Sequence, residues 1–358
     1  MEEKKYSLWL SGLPQIGSRR YLSLIEYFGN PRRVFECSRK ELIESGILNL
    51  KLVDLIVSKR DLDKIDRYLK KVKENDIKVY TIDEENYPQN LKNIYDPPPV
   101  LYVKGNIKDR DADAIAIVGS RKASEYGLRT GEKLGMELAE AGITVVSGMA
   151  LGIDSAAHKG ALKGRGRTIA VFACGLNYIY PRSGISLARE IVKHGAIISE
   201  YPLGIDAIPQ NFPARNRIIS GMSKGVVVIE ANERSGSLIT ADFALEQGRE
   251  VFAVPGNISA PNSKGTNELI KNGAKLVASI NDILEEYGIQ HSERENSAEV
   301  EDLDELERSI LTYINGSGKS MDEIVELIRI ETGVVLSKMI QLEIKGKIKQ
   351  TDGMYYSN

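Results

Sequence analysis

The sequence predicts an α/β fold: a Rossmann-like parallel sheet core domain with an N-terminal all-helical domain and a C-terminal winged helix. Three observations carry this reading. Apolar, largely β-branched runs at 114–118, 143–146, 168–173, 196–199, 225–229 and 250–254 alternate with stretches of helical periodicity, the pattern of successive βαβ units. The first two runs break into glycine turns, Gly119-Ser120-Arg121 and Ser147-Gly148-Met149-Ala150-Leu151-Gly152. On either side, residues 6–75 and 306–345 keep helical spacing without such runs. Domains are therefore expected at 1–76 (helical), 77–287 (Rossmann-like), 288–304 (an acidic linker) and 305–358 (winged helix).

In the N-terminal segment, Leu22, Ile25 and Phe28 share one helical face, and Leu62, Ile65, Leu69 and Val72 share another. Leu13-Pro14-Gln15-Ile16-Gly17 ahead of a helix, followed by Phe28-Gly29-Asn30-Pro31, resembles a helix-hairpin-helix DNA-binding module. Gln15 replaces the first of the two glycines such a hairpin uses, so a DNA contact and a plain helical interaction domain both remain open. Between 77 and 105, Asp96-Pro97-Pro98-Pro99 forbids helix. The flanking runs Val79–Ile82 and Val100–Val103 are expected at the edge of the central sheet.

The central unit follows in order. Leu128 to Ala139 is a helix stopped by Gly142, and Ser155 opens the next; both turns sit where helix N-termini favour phosphate. A helix at 185–193 ends at Gly195, and Glu200 to Arg217, with Pro202, Pro209 and Pro213, is expected as one long functional loop. The strand at 225–229 leaves Glu230-Ala231 at its end, and a helix covers 240–247. In the last unit Leu306, Ile310 and Ile314, then Ile324, Leu327 and Ile328 behind a Ser320/Glu323 capping box, then Val335, Met339 and Leu342 mark three helices. A hairpin turning at Asp352-Gly353 completes a winged helix.

Composition narrows the class. The 358 residues hold 42% hydrophobic side chains and no apolar run of membrane length, which reads as a cytoplasmic protein without a membrane partner. Its two cysteines, Cys37 and Cys174, lie far apart and fit a reducing compartment. The net charge of −2 hides a basic segment, residues 1–80 with 17 Lys and Arg against 12 Asp and Glu, and an acidic one, 285–307 with ten acids and one Arg.

Several chemistries are disfavoured. Gly119 to Ser124 reads GSRKAS instead of the dinucleotide fingerprint, and the second strand ends in Ser147 where an acidic residue would hold a ribose. No Walker sequence marks a triphosphate site, so no cofactor is expected. His158, His194 and His291 have no metal-ligand spacing, and His158 and Cys174 are expected to be structural. Glu230 and Asp154 are expected to organise loops beside arginines. What remains suits a polymer's phosphates. Arg121 adds charge at a helix N-terminus, and Phe212 beside Arg215 and Arg217 offers a ring for a base and cations for the backbone. The alternative, equally open from these residues, makes Phe212 a core plug with Arg215 and Arg217 paired to Glu230 or Asp242. In the winged unit, Ser337, Lys338, Gln341 and Lys345 carry too little charge for a DNA-reading helix, which leaves partner binding or a folded appendage.

Taken together, Ile117-Val118-Gly119-Ser120-Arg121, Ser147-Gly148-Met149-Ala150-Leu151-Gly152-Ile153-Asp154, Phe212-Pro213-Ala214-Arg215-Asn216-Arg217, Glu230-Ala231, Ser235-Gly236-Ser237-Leu238, Gly248-Arg249-Glu250 and Val254-Pro255-Gly256 resemble the bacterial DNA-processing protein A (DprA/Smf) family. That resemblance implies a recombination mediator that binds and protects incoming single-stranded DNA in natural transformation, loads the RecA recombinase, forms a homodimer and catalyses no reaction. It implies DNA contacts at Gly119, Ser120, Arg121, Ser147, Gly148, Phe212, Arg215 and Asn216, to which Arg217 and Ser237 are added here. Asn177, before Tyr180-Pro181, departs from the family's usual Asp, and Gly184 from its Asn. Two other classes stay in view: a nucleotide-ligand hydrolase of the same superfamily, of whose loop Gly265-Thr266-Asn267-Glu268 is a partial echo, and an adaptor without DNA contact.

Overall fold

The structure, a computed structural model, describes residues 2–289, 304–314, 318–351 and 353–357. The expected acidic linker, His291 and the hairpin's Asp352 fall largely or wholly outside the described residues. The chain divides into two compact units, Met1–His291 and Ser292–Asn358.

The first unit is built on a nine-stranded sheet in the order β1-β2-β6-β5-β4-β3-β7-β8-β9. Its strands are β1 (Lys78–Thr81), β2 (Val100–Gly105), β3 (Ala114–Val118), β4 (Thr144–Ser147), β5 (Thr168–Val171), β6 (Ala196–Ser199), β7 (Gly225–Val228), β8 (Glu250–Ala253) and β9 (Lys275–Leu276). From β6 to β9 every pairing is parallel, whereas β1 and β2 pair antiparallel at one edge. Strands β3 to β7 are buried along their whole length, because crossover helices cover both faces; hence the unbroken apolar runs. Strand order runs outward in opposite directions from β3 and β7, and the loops leaving them diverge to make a crevice at their C-terminal ends.

Six helices precede the sheet: α1 (Glu2–Ser11), α2 (Ser18–Phe28), α3 (Pro31–Glu36), α4 (Arg39–Glu44), α5 (Leu50–Ser58) and α6 (Leu62–Glu74). They are all-helical as expected, but they do not enclose a separate core. Leu8 and Val72 pack with Val100 and Tyr102 of β2, and Trp9 and Leu10 belong to an apolar cluster that continues to Leu101 and Val118. Lys4 donates to the carbonyl of Val79 at 2.6 Å, adding a polar link across the same seam. A four-residue helix, α7 (Gln89–Lys92), then leads into the proline run.

The crossover helices are α8 (Glu125–Glu140), α9 (Ile153–Lys163), α10 (Ile185–His194), α11 (Asn211–Gly221), α12 (Gly236–Glu246) and α13 (Lys264–Lys271), followed by the short α14 (Asn281–Leu284). Here the long-loop expectation is corrected: irregular chain ends at Gln210, and Phe212 to Arg217 lie in α11. Pro213 misleads as a breaker. It stands in the first turn, where its missing N–H has no intrahelical partner to lose.

In the second unit α15 (Glu305–Ile314), α16 (Met321–Ile328) and α17 (Thr332–Ile344) enclose a core of Ile310, Ile324, Val335, Met339 and Leu342. Strands β10 (Lys319–Ser320), β11 (Ile348–Thr351) and β12 (Met354–Ser357) form the wing in the order β10-β12-β11. Ser320 and Glu323 close the expected capping box on α16. No helix among the described residues is long and apolar enough to cross a membrane.

Candidate nucleic-acid interface

The crevice at the C-terminal ends of β3 and β7 is a cleft of about 610 Å3. Two interlocked turns form one wall. Ser120 N–H donates to the carbonyl of Glu230 at 2.8 Å, and Ile153 N–H donates to the carbonyl of Ser120 at 3.3 Å. A side chain on Gly119 would place its Cβ 2.6 Å from Ile153 Cγ1, so only glycine lets the turn close on α9. Glu230 is an organiser: its carboxylate accepts from Ser124 N–H at 2.9 Å, from the Ser124 hydroxyl and from Asn262 Nδ2 at 3.3 Å. That leaves the rim around Ser120-Arg121-Lys122 fixed and facing the cleft.

The floor is different. Arg215, 3% exposed, donates from Nη1 to the carbonyl of Gly148 at 2.7 Å and to that of Val171, while its Nε has no partner. Gly148 is needed for this: a Cβ there would lie 2.7 Å from the guanidinium nitrogens. Burial lowers the Arg215 pKa to about 10, Asp154 opposes that, and the side chain stays charged at neutral pH. Buried Asp154 accepts from Ala150 N–H at 3.2 Å; burial raises its pKa and Arg215 counters. Arg217 pairs with Glu200 and, at 3.2 Å, with Asp96, so neither arginine is ion-paired with Glu230 or Asp242. Ser147, fully buried, donates its hydroxyl to the carbonyl of Ile117 at 2.6 Å. Of the expected contacts, Gly119, Ser120, Arg121, Phe212, Arg215, Asn216 and Ser237 line the cleft; Ser147, Gly148 and Arg217 do not, Gly148 accepting from Arg215 while Ser147 is tied to Ile117 and Arg217 to Glu200 and Asp96.

Phe212 is half-buried at the cleft mouth and absent from the apolar core clusters, which removes the core-plug alternative. The Arg121 guanidinium lies 5.1 Å above its ring centroid. Tyr180, 52% exposed, meets the same ring edge-on with centroids 5.6 Å apart. Asn216 Nδ2 donates to the carbonyl of Gly236 at 3.1 Å, and at the N-terminus of α12, where Gly236 and Ser237 line the cleft, the Ser235 and Ser237 hydroxyls are 2.7 Å apart, Ser237 N–H donates to Ser235 Oγ at 3.4 Å and Leu238 N–H to the Ser235 carbonyl at 3.1 Å. Tyr180 and Lys122 line this cleft without having been singled out from sequence. The Tyr180-Pro181 pair was visible there only as a family signature.

The groups that could do covalent chemistry are engaged or shielded. Thr168 Oγ1 donates to the carbonyl of Val145 at 2.8 Å, so the 2.6 Å contact between it and His158 Nδ1 makes Nδ1–H the donor and Nε2 the bare nitrogen. Burial depresses the His158 pKa to about 3, and burial pushes the Cys174 thiol up to about 11. Among the described residues no group of His, Cys, Asp and Glu could hold a metal. In the second unit, Lys338 of α17 pairs with Asp304 at 2.5 Å and Lys345, which caps that helix, with Glu307 at 3.0 Å, so both are tied within the unit while Leu336 and Ile340 are exposed.

The family model of DNA recombination-mediator protein A matches residues 78–288, and that of the DprA winged helix domain matches 294–354. The chain belongs to the DprA/Smf family. Protein Smf of Escherichia coli is 42% identical, over 76% of this chain and 75% of Smf; Protein Smf of Synechocystis is 32% identical over 99% and 98%. An X-ray structure of DprA from Streptococcus pneumoniae covers 82% of this chain and 99% of its own, with 37% identity and a TM-score of 0.70. A structure of Helicobacter pylori DprA, which concerns that protein's single-stranded DNA binding mode, covers 59% and 95% with 33% identity and a TM-score of 0.54.

Proposed function

We propose that this family member is a single-stranded DNA-binding recombination mediator: it holds and protects an incoming strand in the cleft during natural transformation, loads a RecA-type recombinase onto it, works as a homodimer and catalyses no reaction. The observation that supports this most directly is the rim. Arg121 over Phe212, with Tyr180 against the same ring, sets a cation and two aromatic rings in the cleft that the N-terminus of α12 also lines. Such a mouth accepts an unstacked base and its phosphate, and the bases of a duplex are closed to it. The cleft carboxylates bind loop N–H groups, which argues against the hydrolase reading.

The test is a mobility-shift titration of the full chain with the same sequence as a single strand and as a duplex. The single strand is expected to bind more tightly. Equal affinity for both forms would sink the rim as the binding site and turn attention to the helical segment and the winged unit.

A further inference from the structure

On the face of the sheet opposite α11 there is a second cavity, of about 590 Å3, between α10 and β6. Its walls are apolar: Phe172, Leu176, Ile179, Ala188 and Ile197. Three cations, Lys104, Arg189 and Lys193, and one carboxylate, Glu190, also line it, which leaves two positive charges over. Lys104 continues the face of β2 that carries Val100 and Tyr102 into the apolar cluster, so its stem runs along apolar surface toward the cavity. Arg189 is exposed on α10. Among the described residues no hydrogen bond or ion pair engages Lys104 or Arg189, whereas neighbouring Lys193 pairs with Glu190 at 2.7 Å. An apolar hollow of this size with unneutralised cations suits a small ligand with a greasy body and one negative head.

We propose that this cavity binds a small amphipathic anion, an apolar chain or fused ring ending in one carboxylate, sulfonate or phosphate, and that its occupancy is coupled to the DNA cleft. The coupling runs through one short loop. Leu176 and Ile179 wall the cavity, and the next residue, Tyr180, meets Phe212 in the cleft. That loop is braced by Tyr178 N–H on the carbonyl of Gly175 at 3.1 Å and by Gly204 N–H on Asn177 Oδ1 at 2.9 Å, so its two faces move together. A ligand that prefers one placement of Ile179 therefore biases Tyr180, and DNA biases the ligand by the same factor. Only this coupling rests on the DNA-binding reading; the cavity's ligand chemistry does not.

The experiment titrates the full chain with anilinonaphthalene sulfonate, reading fluorescence and, by calorimetry, stoichiometry. One saturable site is expected, displaced by decanoate, lost in Ala188→Phe and weakened roughly tenfold in Lys104→Glu, about 1.4 kcal/mol. If Ala188→Phe melts early through overpacking, Lys104→Glu decides alone. Absence of a saturable site, or a site indifferent to Lys104→Glu, overturns the proposal. In the coupling arm, saturating probe shifts the affinity for a single-stranded oligonucleotide in wild type and not in Tyr180→Ala. A wild-type affinity that does not move overturns the coupling. A chain that binds no DNA refutes the DNA reading instead, and the probe titration still decides the cavity.

Discussion

Arg121 and Arg215 carry the same guanidinium at two depths of one cleft, and they do different work. At the rim, Arg121 is exposed, lies over Phe212 and retains its donors for a ligand. On the floor, Arg215 is buried, gives its hydrogen bonds to the carbonyls of Gly148 and Val171, and offsets the charge of Asp154. A floor cation sets the shape of the crevice and its standing positive potential, while a rim cation exchanges counterions for phosphate. Sequence proximity hides this distinction, because Phe212 and Arg215 are a helical turn apart on α11 and still face different surroundings.

The largest effect that separates the two levels is on stability. Arg215→Ala removes the two hydrogen bonds that its charged guanidinium gives to carbonyls and the positive charge that counters the burial of Asp154, a loss of about 3–5 kcal/mol. Arg121→Ala, exposed, is expected to melt like wild type. Thermal denaturation of the two proteins side by side checks this, and equal melting temperatures would erase the floor-and-rim division.

The second effect is on pH dependence, and it probes the buried surroundings of Arg215. His158 stays neutral in the fold until pH about 3, because burial and then the Arg215 charge disfavour its cation. The unfolded ring takes up its proton near pH 6.5, so between those limits stability falls as pH falls, by about 1.4 kcal/mol per unit. Between pH 7 and pH 5 the loss from this one group is about 2 kcal/mol. Urea unfolding of His158→Asn, in which that titration is gone, should show a shallower acid slope than wild type by this amount. An unchanged slope would mean that the ring is already protonated in the fold.

How far the sequence carried this picture depended on the range of the interactions involved. Strands β3 to β8 were legible because burial on both faces makes each an unbroken apolar run, and a run needs no partner to be recognised. The turns at Gly119 and Gly148 were legible for the same local reason. Helix α11 was hidden by Pro213, whose effect reverses between a helix's first turn and its interior. The partners Asp96 and Glu200 of Arg217, and the carbonyl of Val171 beneath Arg215, are brought together by the sheet order, which no local pattern encodes. Tyr180 escaped for that reason too: its ring matters only once β5 and α11 are neighbours. The helical segment was read correctly as helical, yet the docking of Leu8 and Val72 onto β2 is a property of shape.

On binding, Phe212→Ala sharpens the comparison from the aromatic side. Removing a stacked base costs ~1–3 kcal/mol of single-strand affinity, and because the ring is half-exposed the melting temperature should hardly move. A large drop in melting temperature would return Phe212 to the core and leave Tyr180 as the stacking face.

The smallest effect in free energy is the most specific in kind. Each phosphate neutralised on a single strand releases condensed counterions, so Arg121→Ala should flatten the plot of log affinity against log salt by about 0.7. Phe212→Ala should shift that plot downward without changing its slope, since a ring releases no counterions. Arg215→Ala is the decisive control. Its guanidinium already has protein partners and touches solvent little, so below its melting temperature the slope should equal that of wild type, even though its loss destabilises the fold most. Salt titrations of the three variants at one temperature, each checked for folding by circular dichroism, give three slopes to compare. If Arg215→Ala flattens the plot as Arg121→Ala does, the bare Nε of Arg215 reaches phosphate and the floor belongs to the binding surface; if neither does, the cations that hold DNA lie outside this cleft.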